Sequence, residues 1–122
     1  MNKSSANFTC PCCGYLTFEE WPGSYDICHV CFWEDDPVQL LDPWCEGGAN
    51  KVSLQEAQRN FAEQGVSEAR FKLNVKGVLS GDSRNPLWRR VRESDRRYVT
   101  TPARMAEENA ETDWKWYYWE RD

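Results

Sequence analysis

The sequence predicts an α+β fold: a small zinc ribbon, made of short β-hairpins with two cysteine knuckles, packed against a few helices and an aromatic C-terminal segment. Three observations carry that expectation. Two C-x-x-C pairs, Cys10/Cys13 and Cys28/Cys31, stand 14 residues apart and enclose a strand-turn-strand pattern. Residues 54–64 have helical periodicity, with a capping signal before them and glycine after them. Five aromatics, Trp114, Trp116, Tyr117, Tyr118 and Trp119, crowd six residues near the C terminus, and some of them must dock into the body.

At 122 residues the chain is one domain, or one small module with an extension. Residues 1–50 read as the ribbon and residues 51–122 as a helical part with an aromatic C-terminal strand. The two are expected to form one cooperative unit. Fifty residues fold poorly unaided, but structural zinc supplies about 10–16 kcal/mol of apparent binding energy in finger peptides. Seven tryptophans enlarge the core further, since each buried aromatic removes about 150–250 Å² from water.

Within the ribbon, residues 1–7 read as a disordered start and Phe8 to Cys10 as a short strand into the first knuckle. Pro11 fixes φ ahead of the first knuckle, and Gly14 permits the positive φ that ends it. Tyr15 to Glu20 alternates as a strand does. Pro22-Gly23-Ser24 is a turn, and Tyr25 to Ile27 enters the second knuckle. Two knuckles place four soft thiolates in a tetrahedron, the donor set of a closed structural Zn²⁺ site. One Zn²⁺ per chain is therefore expected on Cys10, Cys13, Cys28 and Cys31, with iron in a rubredoxin-like site as the next candidate.

Other uses of these cysteines fit less well. The opening MNKSSANFTC lacks the basic and apolar regions of a secretory signal, so a reducing cytoplasm is expected rather than disulfides. A thioredoxin-like pair needs a βαβ context, and only nine residues precede Cys10. Haem attachment needs histidine after the second cysteine, where Phe32 stands. Cys12 and His29 could be a nucleophile and base or spare ligands. The simpler expectation puts both on knuckle surfaces and makes Cys45 a small buried thiol.

Beyond the knuckles, Phe32 and Trp33 are expected to shield the metal. Glu34-Asp35-Asp36-Pro37 reads as an acidic turn, either solvated or touching a basic partner, and residues 38–50 as a loop. The helix from Leu54 to Gln64 opens on the capping box Ser53/Glu56 and buries Leu54, Ala57, Phe61 and Ala62. Gly65 stops it, and Val66 folds back on Phe61. Ser67 to Lys72 could form a short helical turn. Asn85-Pro86 signals a helix to about Ser94 with Leu87, Trp88 and Val91 inward. Thr101-Pro102 signals another to about Thr112. Alternation puts Trp114, Trp116 and Tyr118 on one face of a strand.

The net charge of −5 is unevenly placed. Residues 1–50 carry one cation and eight anions, whereas residues 51–122 carry 14 cations and 12 anions. Four thiolates around zinc add two further negative charges to the first half. Such a face repels phosphate, so nucleic-acid binding is not expected, although Arg84, Arg89, Arg90, Arg92, Arg96 and Arg97 argue the other way. No apolar run approaches the roughly 20 residues of a membrane span. One histidine, a closed metal site and no phosphate loop or nucleophile argue against an enzyme.

The segments CPCCG, GSYDIC, CFWEDD, GGAN and the helix S-L-x-E-A-Q-x-N-F occur together and in order. Over about residues 8–66 this resembles the cysteine-rich CPCC family of bacterial proteins. The resemblance implies a zinc ribbon in a bacterial cytosol, with Cys10, Cys13, Cys28 and Cys31 in the places of the family's presumed ligands. His29 stands where proline would be expected. No particular activity comes with the family, though the aromatic tail is of a kind seen in small bacterial immunity proteins.

A protein-binding module fits these features best. Its most concrete form is an immunity protein that occludes a cognate toxin, such as a basic one whose active site attracts carboxylates; a nucleic-acid-associated ribbon is the alternative. The expected partner contacts are Trp33, Glu34, Asp35, Asp36, Trp114, Trp116 and Trp119, the aromatic and charged types that anchor interfaces.

Overall fold

A computed structural model of the protein describes residues 8–108 and 115–121. Its fold is α+β. Strand β1 (Phe8–Thr9) runs antiparallel to β2 (Leu16–Phe18), with Phe8 opposite Phe18 and Thr9 opposite Leu16. The pair is short because the intervening residues are spent on the first knuckle. A second strip is added from far along the chain: Leu16 N–H donates to the Ser83 carbonyl at 2.8 Å, and Tyr15 bridges Arg84. The second knuckle sits in a smaller return, closed by one bridge between Ile27 and Glu34.

Helix α1 (Pro37–Leu41) lies where a loop is expected from the sequence. Asp36 caps it, its carboxylate accepting from Val38 N–H at 2.8 Å, and Pro37 opens the first turn. Gln39 anchors the following loop. Its amide donates to the carbonyls of Cys45, Asn50 and Val52, and it accepts from the Asn50 side chain at 2.9 Å. A buried amide with every polar atom engaged fixes this loop as firmly as a strand would.

Helix α2 (Leu54–Gln64) has the boundaries its sequence predicts. Ser53 Oγ accepts from Glu56 N–H at 3.1 Å, and Gly65 ends the helix with φ +81° while donating to Phe61 O. Its inward face is Leu54, Ala57 and Gln58; Phe61 is only half-buried and Ala62 is exposed. A 3₁₀ turn at Ala69–Phe71 follows.

The expected helix over residues 86–94 does not form. Asn85 closes a single turn, accepting Leu87 N–H on its side chain and Trp88 N–H on its carbonyl. The chain then extends, because Trp88 is drawn onto the first knuckle and Val91 N–H is needed by Gln58 at 2.8 Å. Leu87, expected inward, is left exposed. A 3₁₀ stretch, Glu93–Tyr98, precedes helix α3 (Pro102–Glu108); the rest of the helix expected to Thr112 lies outside the described residues.

No strand forms at the aromatic C terminus within residues 115–121. Tyr118–Glu120 is a 3₁₀ turn, and Tyr117, Tyr118 and Trp119 are all buried in succession. Alternation fails because each ring finds its own site: Tyr117 stacks on Trp119 at 4.3 Å, and Tyr118 meets Trp119 edge-on at 5.0 Å. These rings share one core with the cysteines, Phe18, Trp33, Leu40, Leu54 and Ala57, so a single apolar centre spans both halves.

Candidate metal centre

The two knuckles have the same backbone frame. In the first, Gly14 N–H donates to Cys10 O at 2.8 Å and Cys10 N–H to Tyr15 O at 2.9 Å. In the second, Phe32 N–H donates to Cys28 O at 2.8 Å and Cys28 N–H to Trp33 O at 2.9 Å. The residue after each second cysteine is left-handed, Gly14 at φ +84° and Phe32 at φ +71°. Phenylalanine is held in that conformation by tertiary packing, its ring lying 4.5 Å from that of Phe71.

This frame brings Cys10, Cys13, Cys28 and Cys31 together. Their four sulfurs lie within 4.8 Å of one another. Cys10 and Cys31 are 3.6 Å apart and Cys13 and Cys28 3.7 Å apart. A tetrahedron with metal–sulfur bonds of about 2.3 Å has edges of about 3.8 Å, so the donors already stand at ligand spacing. All four residues are 0% exposed. Burial pushes the Cys10 and Cys31 thiols well up, while hydrogen bonds from Cys10, Cys13 and Cys31 pull Cys28 down; the Thr17 hydroxyl donates to its sulfur at 3.2 Å. A divalent cation held by the four sulfurs would remove the conflict between burial and charge, and its affinity would become folding energy.

The second half closes the site from outside. Pro11 O accepts from Gln58 Nε2 and from Trp88 Nε1, each at 2.9 Å. Cys13 O accepts from Arg84 Nε at 2.9 Å and Gly14 O from Asn85 N–H at 2.8 Å. On the other knuckle, His29 O accepts from Lys76 N–H at 3.0 Å and Cys31 O from Ser67 N–H at 2.8 Å. Trp88 packs closely against Gly14, and the Arg84 guanidinium lies over its ring, 4.8 Å from the centre. Gln58 also donates to the Tyr118 hydroxyl at 2.8 Å, tying the aromatic tail to the knuckle.

Cys12 is fully buried beside the cluster rather than at the knuckle surface, and burial pushes its thiol up. Cys45 is half-exposed and not the buried thiol expected. His29 is partly exposed, and its Nε2 pairs with Asp82 Oδ2 at 2.8 Å.

Burial removes most of the expected partner contacts. Trp33 is wholly buried in the core. Asp35 points inward, its Oδ2 accepting from Gly23 N–H at 2.9 Å and from Ser24 N–H and Oγ, each at 3.3 Å; burial raises its carboxyl to about 6. Asp36 is the buried cap of α1 and also accepts from Ala49 N–H at 2.9 Å. Trp119 is buried, Glu34 and Trp116 are half-buried, and Trp114 lies outside the described residues. The large exposed rings of the ribbon are instead Trp21 and Tyr25. Sequence reasoning also missed Gln58, Arg84 and Trp88 as parts of the site; the polar Gln58 on the apolar face of α2 is the one local signal of that kind.

No helix among the described residues is long and apolar enough to cross a membrane. No curated protein matches the chain. Residues 8–81 match the family described as Cysteine-rich CPCC, a span that contains both knuckles, α1 and α2 and stops one residue short of the Asp82 that pairs with His29; the chain belongs to that family.

Proposed function

We propose that the protein is a non-catalytic, zinc-stabilised module that acts by binding another protein, and that it serves in the bacterial cytoplasm as an immunity protein occluding a cationic toxin domain. The observation that carries the non-catalytic part is the complete burial of all four thiols. A centre whose four positions are filled by protein leaves none for a substrate. Zinc suits four thiolates in a tetrahedron without redox chemistry; iron in the same site would give a coloured protein.

Charge supports the choice of partner. The carboxylates of Glu19, Glu20 and Asp26 have no ion pair among the described residues, so the ribbon presents an uncompensated negative face. Arginines that favour the alternative, a nucleic-acid-associated ribbon, are partly engaged by the protein itself. Arg84 holds Cys13 O, Arg89 makes a two-point pair with Asp95 at 2.8 and 2.9 Å, and Arg96 pairs with Glu93 at the surface.

The experiment is co-expression with the product of the neighbouring gene in the native host. Protection from a toxic neighbour, with a complex recovered in pull-down, is expected. Absence of both overturns the immunity reading.

A further inference from the structure

We infer that the segment joining the two knuckles, residues 17–27, is the recognition surface, and that it takes a cationic protein segment in which arginine or lysine alternates with apolar side chains. This rests on the reading that the protein binds a cationic partner, and it moves the contacts from the buried positions around Trp33 and Asp35 to the opposite wall of the same turn.

Three apolar residues stand out of this segment, Trp21 at 70%, Tyr25 at 50% and Ile27 at 51% exposure. Carboxylates alternate with them in sequence: Glu19 and Glu20 precede Trp21, and Asp26 lies between Tyr25 and Ile27. In the second half, Glu56, Glu68, Glu93, Asp95 and Glu108 each have an arginine partner. Glu19, Glu20 and Asp26 have none among the described residues. A shallow cleft of about 350 Å³ is lined by Thr17, Phe18, Glu19, Glu20, Asp26 and Ile27, with three acids on its wall. A second cleft of about 330 Å³ begins at Trp21 and Pro22 and reaches Trp116 and Tyr117, offering an aromatic floor. An acid-lined cleft that includes Glu20 and an aromatic one that includes its neighbour Trp21 match a strand that carries cations and apolar groups in turn.

The surface is also held rigid before any partner arrives. It is flanked by Cys13 and Cys28 of the buried cysteine cluster. The turn at its centre hangs on the buried Asp35 carboxylate, and Gly23 lies close against Pro37 at the start of α1. Trp21 is braced by Phe8, with ring centres 5.2 Å apart. Tyr25 is kept at φ +66°, with its N–H donating to Asp35 O at 3.0 Å, and this strained backbone displays its ring outward. A loop ordered in advance loses little entropy on binding, which is how a small interface reaches useful affinity. The metal therefore sets the shape of the surface as well as the stability of the fold.

The test titrates the metal-loaded, isotope-labelled protein with a synthetic peptide of alternating arginine and leucine, and with its glutamate–leucine counterpart. Amide shifts at residues 17–27 and along the adjoining cleft at Phe8, Thr9, Trp116 and Tyr117, caused by the cationic peptide alone, are expected. Affinity should fall about tenfold in the Glu19→Lys/Glu20→Lys variant and again in Trp21→Ala, with metal content unchanged. Shifts elsewhere, equal binding of the acidic peptide, or unchanged affinity in both variants would overturn the assignment. A toxin complex whose contacts map outside residues 17–27 would also defeat this surface while leaving the immunity reading intact. Docking of the peptide here without neutralisation of any toxic neighbour would do the reverse.

Discussion

Replacing Gly14 with alanine tests how the second half holds the first knuckle. An added Cβ would stand 2.6 Å from Trp88 Cδ2 and 2.7 Å from Cε3, so the indole must move by about an ångström, given ordinary carbon contacts near 3.5 Å. That ring cannot shift freely, because Nε1 donates to Pro11 O at 2.9 Å and the Arg84 guanidinium rests on its face. Gly65 supplies the control: its φ of +81° nearly equals the +84° of Gly14, but nothing lies within 4 Å of its would-be Cβ. The left-handed backbone costs either alanine about 1–2 kcal/mol. A stiffer unfolded chain returns roughly 0.4–1 kcal/mol of it. Gly65→Ala should therefore lose about 1 kcal/mol. Gly14→Ala should lose about 3 kcal/mol, the excess coming from a hydrogen bond worth about 1 kcal/mol and a cation–π contact worth about 0.5–1 kcal/mol. Urea melts of the metal-loaded variants measure both. In a Trp88→Ala background the Gly14 penalty should fall to that of Gly65. Equal losses at the two glycines, to within about 0.5 kcal/mol, would refute the reasoning.

Asp35→Asn should leave the fold intact, since an amide oxygen can still accept from Gly23 and Ser24. Burial raises the native carboxyl from 3.8 to about 6, so its favourable contribution is present below pH 4 and lost as pH rises through 6. The stability of the asparagine variant relative to the parent should thus grow between pH 4 and pH 7, and a flat difference contradicts this. Cys12→Ser should keep full metal content but cost about 1–3 kcal/mol, because it buries a hydroxyl; Cys45→Ser should stay within about 0.5 kcal/mol in the same melts. Chelation should abolish near-ultraviolet circular dichroism from both halves in one transition, including that of Trp88 and Tyr117. A cooperative melt surviving in the second half would show two independent units.

The cluster and α2 were legible because their determinants are local. Cysteine spacing fixes the knuckles, and Ser53, Glu56 and Gly65 bound a helix whose apolar residues recur at its period. The dipeptides Asp36-Pro37 and Asn85-Pro86 carry the same cap-and-proline signal, yet only the first starts a helix. The difference is tertiary: Trp88 and Val91 are claimed by Pro11 and Gln58, partners 77 and 33 residues away in sequence. The aromatic tail misled for a similar reason. Tyr117 and Tyr118 both bury because their hydroxyls reach Thr9 O and Gln58, contacts no alternation pattern encodes. Asp35 and Asp36 read as an acidic shoulder because charge usually faces water. Here one organises a turn and the other caps α1, uses that depend on backbone N–H groups aligned only in the fold.

X-ray absorption on protein purified under reducing conditions, paired with elemental analysis, tests the central claim most directly. One zinc per chain is expected, ringed by four sulfurs at about 2.3 Å, and Cys10→Ser or Cys31→Ser should lose metal and fold together. A folded protein without metal, or a centre whose shell includes nitrogen or oxygen, would contradict it.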